Sequence, residues 1–196
     1  MRKIILASSS PRRKQLLNQL IGNNFEIKPS SYKENNNLNL KPVNLVLHHS
    51  LQKAIDVAKD LKEGIVISAD TLVFYKNKVL GKPFTEEKAE EMLKKLSNKN
   101  IEVITGLAVI DIENKKEIQD YEITKIKIKK LTEKEIKDYI KTKEPLDRAG
   151  AFAIQEKGAI FIEKIKGDYL GAVGLPLFKL NKILVSLGIS IFDYTS

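Results

Sequence analysis

The sequence predicts an α/β fold in which a mixed sheet is wrapped by helices. Three observations predict it. Short β-branched runs such as "RKIILAS" and "GIVISADTLVFY" alternate with stretches whose apolar residues recur at helical spacing. Two long β-rich runs, "IEVITGLAVIDI" and "EIQDYEITKIKI", meet across "ENKK". They read as an antiparallel hairpin, which makes the sheet mixed rather than wholly parallel. The length of 196 residues suits one domain, or one domain with a lobe, and is enough chain to bury a core.

The elements follow in chain order. "RKIILAS" is a buried strand, and after it come Ser8, Ser9, Ser10, Pro11, Arg12 and Arg13. Ser10 is a good N-cap and Pro11 suits the first helical position, so "PRRKQLLNQL" opens a helix. "FEIKPS" is a second short strand, and the polar, Asn-rich "SYKENNNLNLK" is a loop. From Pro42 onward, Val43, Leu47, Leu51, Ala54, Ala58 and Leu61 recur at helical spacing and predict a long amphipathic helix, with His49 and Ser50 interrupting its pattern. "KNK" turns the long strand into "VLG". "TEEKAEEMLKKLS" and "TEKEIKDYIKT" are capped helices, the first with Thr85 as cap and acids in its first turn. "AGAFAIQ" and "GAIFIEKIKG" form a loop-and-strand region, "GDYLGAVGLP" a packed turn, and "LPLFKLNKILVSLG" a last helix stopped by Gly188. With no repeat and no long linker, the simplest architecture is one long sheet with a cleft at its middle.

Composition removes several function classes. There is no cysteine, hence no disulfide, thiol nucleophile or Cys-based zinc site. "IILA" is too short for a signal-peptide core, and no segment approaches the roughly 20 apolar residues of a membrane span, so a cytoplasmic protein is expected. The net charge of +9 has two readings. One is a polyanionic or phosphate-rich partner. The other is compositional: the lysines are scattered, and in "KIKIKK" they alternate with isoleucines as the polar face of a strand.

Several residues stand out as chemistry. A strand that turns into a helix start is an anion site, because free N–H groups and the helix dipole both favour negative charge there. Ser8 to Ser10 add hydroxyls, and Arg12 and Arg13 sit in the first turn, where a cation opposes the dipole unless an anion offsets it. Asp70 and Thr71 lie in an otherwise apolar strand, and a buried carboxylate is costly unless paired or bound to a metal. Such an Asp can hold a divalent cation or act as a base toward water. Lys82, between Gly81 and Pro83, is held on a stiffened loop that fits a phosphate. Gln155 carries a donor and an acceptor that can read a base edge or fix a loop. His48 and His49 are adjacent, so they make neither a catalytic triad nor a metal pair at helical spacing. Hydrolysis here would use water, a carboxylate and a metal.

In this order, "ILASSSPRRKQLL", "SADTLV", "GKP", "VITGLAV", "YIKTKEPLDRAGAFAIQEKGAIFIEKIKGDY" and "VGLPL" resemble the Maf-like proteins, which are nucleoside triphosphate pyrophosphatases. The resemblance spans nearly the whole chain and implies one domain over residues 1–196. It implies a fold similar to inosine triphosphate pyrophosphatases, a mixed sheet in two lobes with a central cleft. It implies hydrolysis of dTTP and UTP, modified pyrimidine nucleotides included, to the monophosphate and pyrophosphate, with a divalent cation, Mg2+ or Mn2+, and a homodimer. Asp70 matches the family's proton acceptor and Glu34 an acidic position for the metal; whether Asp70 acts as base or as metal ligand beside Glu34 the sequence leaves open. Ser8, Arg12, Arg13, Lys53 and Lys82 match polar positions along the triphosphate, and Gln155, with Arg13 and Thr71, matches the base-discriminating positions. This chain departs from the family at His49–Ser50, where a Leu-Ala pair is usual, at "DRAG" for Asp-Lys-Ala-Gly, and at "AIQE" for Gly-Ile-Gln-Gly. Two other functions compete: a pyrophosphatase for noncanonical purine nucleotides, and a nucleic-acid-binding regulator of septum formation. For the second, the sequence offers no helix-turn-helix, zinc finger or aromatic-basic strand motif.

Overall fold

In the computed structural model, which describes residues 1–194, seven strands and six α-helices follow one another along the chain. They are β1 (Ile4–Leu6), α1 (Pro11–Ile21), β2 (Glu26–Ile27), α2 (Pro42–Ala58), β3 (Ile65–Tyr75), β4 (Lys78–Leu80), α3 (Glu86–Leu96), β5 (Asn100–Asp111), β6 (Lys116–Ile128), α4 (Glu133–Lys141), β7 (Ile162–Lys166), α5 (Tyr169–Val173) and α6 (Leu177–Ser186). The sheet order is β2-β1-β3-β5-β6-β7, with β4 paired to β3. β1 runs parallel to β2 and β3, whereas β4 and β7 are antiparallel to their neighbours, so the sheet is mixed as expected. Among the described residues, no helix is long and apolar enough to cross a membrane.

The chain folds as two compact units. The first comprises Met1–Thr71, Thr105–Glu122 and, among the described residues, 170–194. Its core forms where α2 lies on the sheet: Ala54 and Val57 pack with Ile5, Ala7, Val66, Ala108 and Ile110. The buried face of α2 comprises Leu45, Val46, His49, Ser50, Ala54 and Val57. His49 and Ser50 therefore do not interrupt the helix but lie wholly inside it. A helical hydroxyl or imidazole can be buried once its polar atoms find partners. Ser50 Oγ donates to Leu47 O at 2.9 Å, and Ser68 Oγ donates to Ser50 O. Gly106 in β5 permits the approach of α2, since a Cβ there would stand 2.4 Å from Val46 O. α1 begins as the sequence predicts, with Ser10 Oγ accepting from Arg13 N and Pro11 in the first turn. α6 ends with Gly188 at φ +75°, Gly188 N–H bonding Val185 O and Ile189 N–H bonding Leu184 O. That left-handed cap satisfies carbonyls the helix leaves free.

The second unit comprises Leu72–Ile104 and Ile123–Tyr169. β3 turns into β4 through Lys76 and Asn77, both at positive φ, which suits a two-residue hairpin. In β6, Ile126 and Ile128 are buried while Lys125 is exposed, as the alternation of "KIKIKK" predicts. α3 packs on α4, whose Thr132 and Glu135 form a reciprocal capping box. Tyr139 meets Phe161 edge-on, with ring centroids 4.9 Å apart. The segment read as loop before β7 is three short 3-10 turns, at Glu144–Asp147, Ala149–Ala151 and Lys157–Phe161. "GDYLGAVGLP", read as a packed turn, holds the short helix α5 instead.

Candidate active site

The first unit brings most of the expected residues together. β1 ends at Leu6, and the chain crosses to α1 through Ser8, which is buried. Ser8 Oγ accepts from Ser10 N–H at 3.2 Å and from an Arg13 terminal nitrogen at 3.3 Å. The Arg13 guanidinium also donates Nε–H to Gly174 O at 3.0 Å and its second terminal nitrogen to Thr71 Oγ1 at 3.2 Å. Thr71 Oγ1 in turn lies 2.9 Å from Thr105 Oγ1, which donates to Gly171 O at 2.7 Å. Arg13 is thus fixed by three partners, and two of its five N–H groups remain for an anion. Burial lowers its pKa from the usual value, and the charges of Asp70 and Glu34 work against that fall. Arg12, one residue earlier, is exposed.

The second half of the site is a row of ionisable groups. Asp70, on β3, is only 2% exposed. Its Oδ1 accepts from Lys53 Nζ at 2.6 Å, and Lys53 Nζ also pairs with Glu34. Asp70 Oδ2 is buried with no hydrogen-bond partner among the described residues. Burial pushes the Asp70 carboxyl above the ordinary aspartate range, and Glu34 adds to the rise; Lys53 and Arg13 oppose it. Burial also pushes Glu34 upward, but the charge and hydrogen bond of Lys53 outweigh it, leaving Glu34 below its usual value. Two neighbouring carboxyls with pKa values pushed apart are the usual mark of divided acid and base duties.

Glu34 reaches Lys53 because the preceding segment is tied to α2. Asp56 Oδ2 accepts from Ser30 Oγ at 2.8 Å, Ser31 N–H at 2.7 Å and Ser31 Oγ at 3.0 Å. Lys59, Ser30 and Ser31 together hold the Asp56 carboxyl far below its normal range. His49 Nδ1 lies 3.0 Å from Tyr32 Oη, and its Nε2 lies 3.2 Å from Asn36 Oδ1. Burial lowers the His49 pKa, against the pull of Asp70 and Glu34. The sequence reading found neither this histidine's partners nor the role of Asp56. A signal was present: His49, Lys53 and Asp56 are spaced i, i+4, i+7, one polar stripe along α2.

A divalent cation fits this half of the site. Among the described residues no three His, Asp or Glu side chains converge as a ready metal cage. Mg2+ does not need one: it commonly takes one or two carboxylates and completes its shell with water and substrate phosphates. The unpartnered Asp70 Oδ2 is a buried oxygen of that kind.

The remaining expected residues lie in the second unit. Lys82 is exposed and pairs with Asp147 at 2.6 Å. Gln155 is exposed on a bend after the second 3-10 turn. Close by, Gly150 takes φ +74° and its N–H bonds Gly81 O at 3.2 Å, which joins "GKP" to "DRAG" within this unit.

The family model for Maf-like proteins matches residues 3–187. The chain belongs to the Maf-like family. Relatives agree along almost the whole length. A dTTP/UTP pyrophosphatase of Methanosarcina mazei is 55% identical over 193 residues, covering 98% of each chain. One of Acetivibrio thermocellus is 47% identical, covering 96% of this chain and 97% of its own. One of Bacillus cereus is 47% identical over 191 residues. Among solved structures, a HAM1 protein from Coxiella burnetii is similar in fold, with a TM-score of 0.56 at 17% identity, covering 95% of this chain and all of that one.

Proposed function

We propose that this Maf-like protein hydrolyses dTTP and UTP to the nucleoside monophosphate and pyrophosphate. The observation that carries the reading is Asp70, a buried carboxyl with a raised pKa, one oxygen on Lys53 and the other unpartnered. The names of the full-length relatives support the substrate choice. Asp70 and Glu34 would hold the divalent cation, which supplies charge neutralisation on the triphosphate. Ser8, the N-terminus of α1 and the two spare N–H groups of Arg13 bind phosphate oxygens. Where Asp70 serves as base rather than as metal ligand, it takes the proton of the water that attacks the α-phosphorus. The P–O bond to the β-phosphate breaks and pyrophosphate leaves. Lys53 holds Asp70 and Glu34 at one point and limits their mutual repulsion. Most of the rate enhancement comes from positioning and charge.

Arg12, Lys82, Thr71 and Gln155 keep the roles the resemblance gives them: phosphate contacts for the first two, base selection for the others. The same reading takes Mg2+ or Mn2+ as the cation, a homodimer as the working form and the cytoplasm as its place. The test is pyrophosphate release from a panel of nucleoside triphosphates with Mg2+ or Mn2+, for wild type and Asp70→Asn. Preference for dTTP and UTP, lost by roughly 100-fold or more in the variant, is expected. Preference for a purine nucleotide overturns the substrate assignment, and near-normal turnover by Asp70→Asn overturns the mechanism.

A further inference from the structure

We infer that His49 is a positioning residue that clamps the segment around Glu34 onto α2 and so sets the metal affinity of the Asp70–Glu34 pair. The inference rests on the reading of those two carboxylates as the metal-holding acids. Glu34 sits on a segment without regular secondary structure, between β2 and α2, and its side chain is still 37% exposed. A side chain on such a segment holds its place only if neighbouring residues are tied down. The ties are to one stripe of α2. Asp56 takes Ser30 and Ser31, Lys53 takes Glu34, and His49 takes Tyr32 and Asn36, the two residues that flank Glu34 at a distance of two on either side.

His49 is fully buried, and both ring nitrogens are used. Asn36 presents a carbonyl oxygen, so Nε2 carries the proton and donates; Nδ1 then accepts from the Tyr32 hydroxyl. Only one neutral tautomer serves both partners, and one planar ring thereby fixes the separation of Tyr32 from Asn36. The Tyr32 ring also packs against the imidazole, with centroids 5.8 Å apart. Local bonds stiffen the span further: Ser30 Oγ accepts from Tyr32 N–H, and Asn35 Oδ1 accepts from Asn37 N–H. His49 has no contact with the reacting atoms in this scheme. It acts through the segment, as groups behind metal ligands do when they orient them.

The test compares Mn2+ binding to the metal-free protein, followed by electron paramagnetic resonance without nucleotide, for wild type, Glu34→Gln, His49→Phe and His49→Gln. His49→Phe keeps a ring but loses both bonds, and we expect about tenfold weaker Mn2+ binding. With dTTP, the Mn2+ concentration for half-maximal rate should rise by a similar factor, with kcat restored at saturating metal. His49→Gln keeps one donor and one acceptor and should recover most of the affinity. Should His49→Phe fail to fold, the double variant Tyr32→Phe/Asn36→Ala leaves the buried ring in place and should show the same weakening. Wild-type Mn2+ affinity in His49→Phe or the double variant, with Glu34→Gln weakened, overturns the clamp and leaves the metal reading standing. Unchanged affinity in Glu34→Gln removes Glu34 from the metal site, and the clamp falls with it.

Discussion

At the scale of single residues, the ion pairs of this protein divide by what each partner loses on burial. Asp111, at the end of β5, is fully buried, yet its carboxyl sits well below the ordinary aspartate range. Arg2 donates to both its oxygens at 2.7 and 2.6 Å, and Asn114 adds a backbone and a side-chain bond. Asp70 is also buried but is pushed upward, first by its desolvation and then by the charge of Glu34, which Lys53 and Arg13 do not offset. The first arrangement satisfies its carboxylate; the second leaves one buried carboxyl oxygen without a hydrogen-bond partner among the described residues. The contrast gives a pH prediction for Arg2→Ala, read by urea denaturation. Asp111's folded pKa is depressed, so its contribution to stability is fully present above the unfolded value near 3.8 and is lost as pH falls through the folded value. Removing Arg2 leaves a buried carboxylate with only its Asn114 bonds, and should cost about 2 to 3 kcal/mol at neutral pH. The difference from wild type should shrink as pH drops below that unfolded value. A loss that is constant from pH 7 to pH 3 would assign the effect to packing of the arginine stem instead.

At the scale of elements, α2 is the part that joins core and chemistry. One face packs on β1, β3 and β5, and the adjoining stripe carries His49, Lys53 and Asp56. Its distance from β5 is set at Gly106, where an added Cβ would meet Val46 O at 2.4 Å and Val46 C at 2.5 Å. Both are backbone atoms, so no side-chain rotation relieves the clash. Gly106→Ala should cost roughly 1 to 3 kcal/mol or more in thermal unfolding, and should lower turnover as α2 shifts. An alanine variant with wild-type stability would show that the two elements can separate freely. The sequence made α2 legible as a helix through Val43, Leu47, Leu51, Ala54 and Ala58, but most of that series proves half-buried. The buried face is turned toward Leu45, Val46, His49 and Ser50, because hydrogen bonds to Tyr32, Asn36 and Leu47 let polar residues occupy core positions. Local periodicity counts apolar residues and cannot see such distant partners. The same limit applies to Glu34: its position depends on bonds to residues up to some twenty positions away, whereas Ser10, Pro11 and Thr85 act within one turn and were legible.

At the scale of the whole molecule, the question is what a net charge of +9 does. Local ion pairs do not reduce it, because each takes one charge of either sign: Lys59 with Asp56, Lys82 with Asp147, Lys94 with Glu90, Lys129 with Glu135 and Lys179 with Asp120. Exposed pairs of this kind add little stability each. The surplus remains as a long-range field, and a field of that sign attracts a nucleoside triphosphate before any contact forms. Raising KCl from about 0.05 M to about 0.5 M shortens the screening length roughly threefold. The expected result is a fall in kcat/KM for dTTP of about fivefold or more, carried by KM, with kcat nearly constant. On the proposed function, Arg13 would bind phosphate oxygens from a buried position, shielded from bulk salt, and such contacts should hold kcat steady. Replacing exposed lysines that have no assigned role in the reaction, for instance Lys125→Glu with Lys166→Glu on adjacent strands, should reproduce part of the fall at low salt without touching kcat. A kcat/KM that ignores both salt and these charge reversals would make the positive charge a feature of composition alone, and would leave substrate capture to the short-range groups around Ser8 and Arg13.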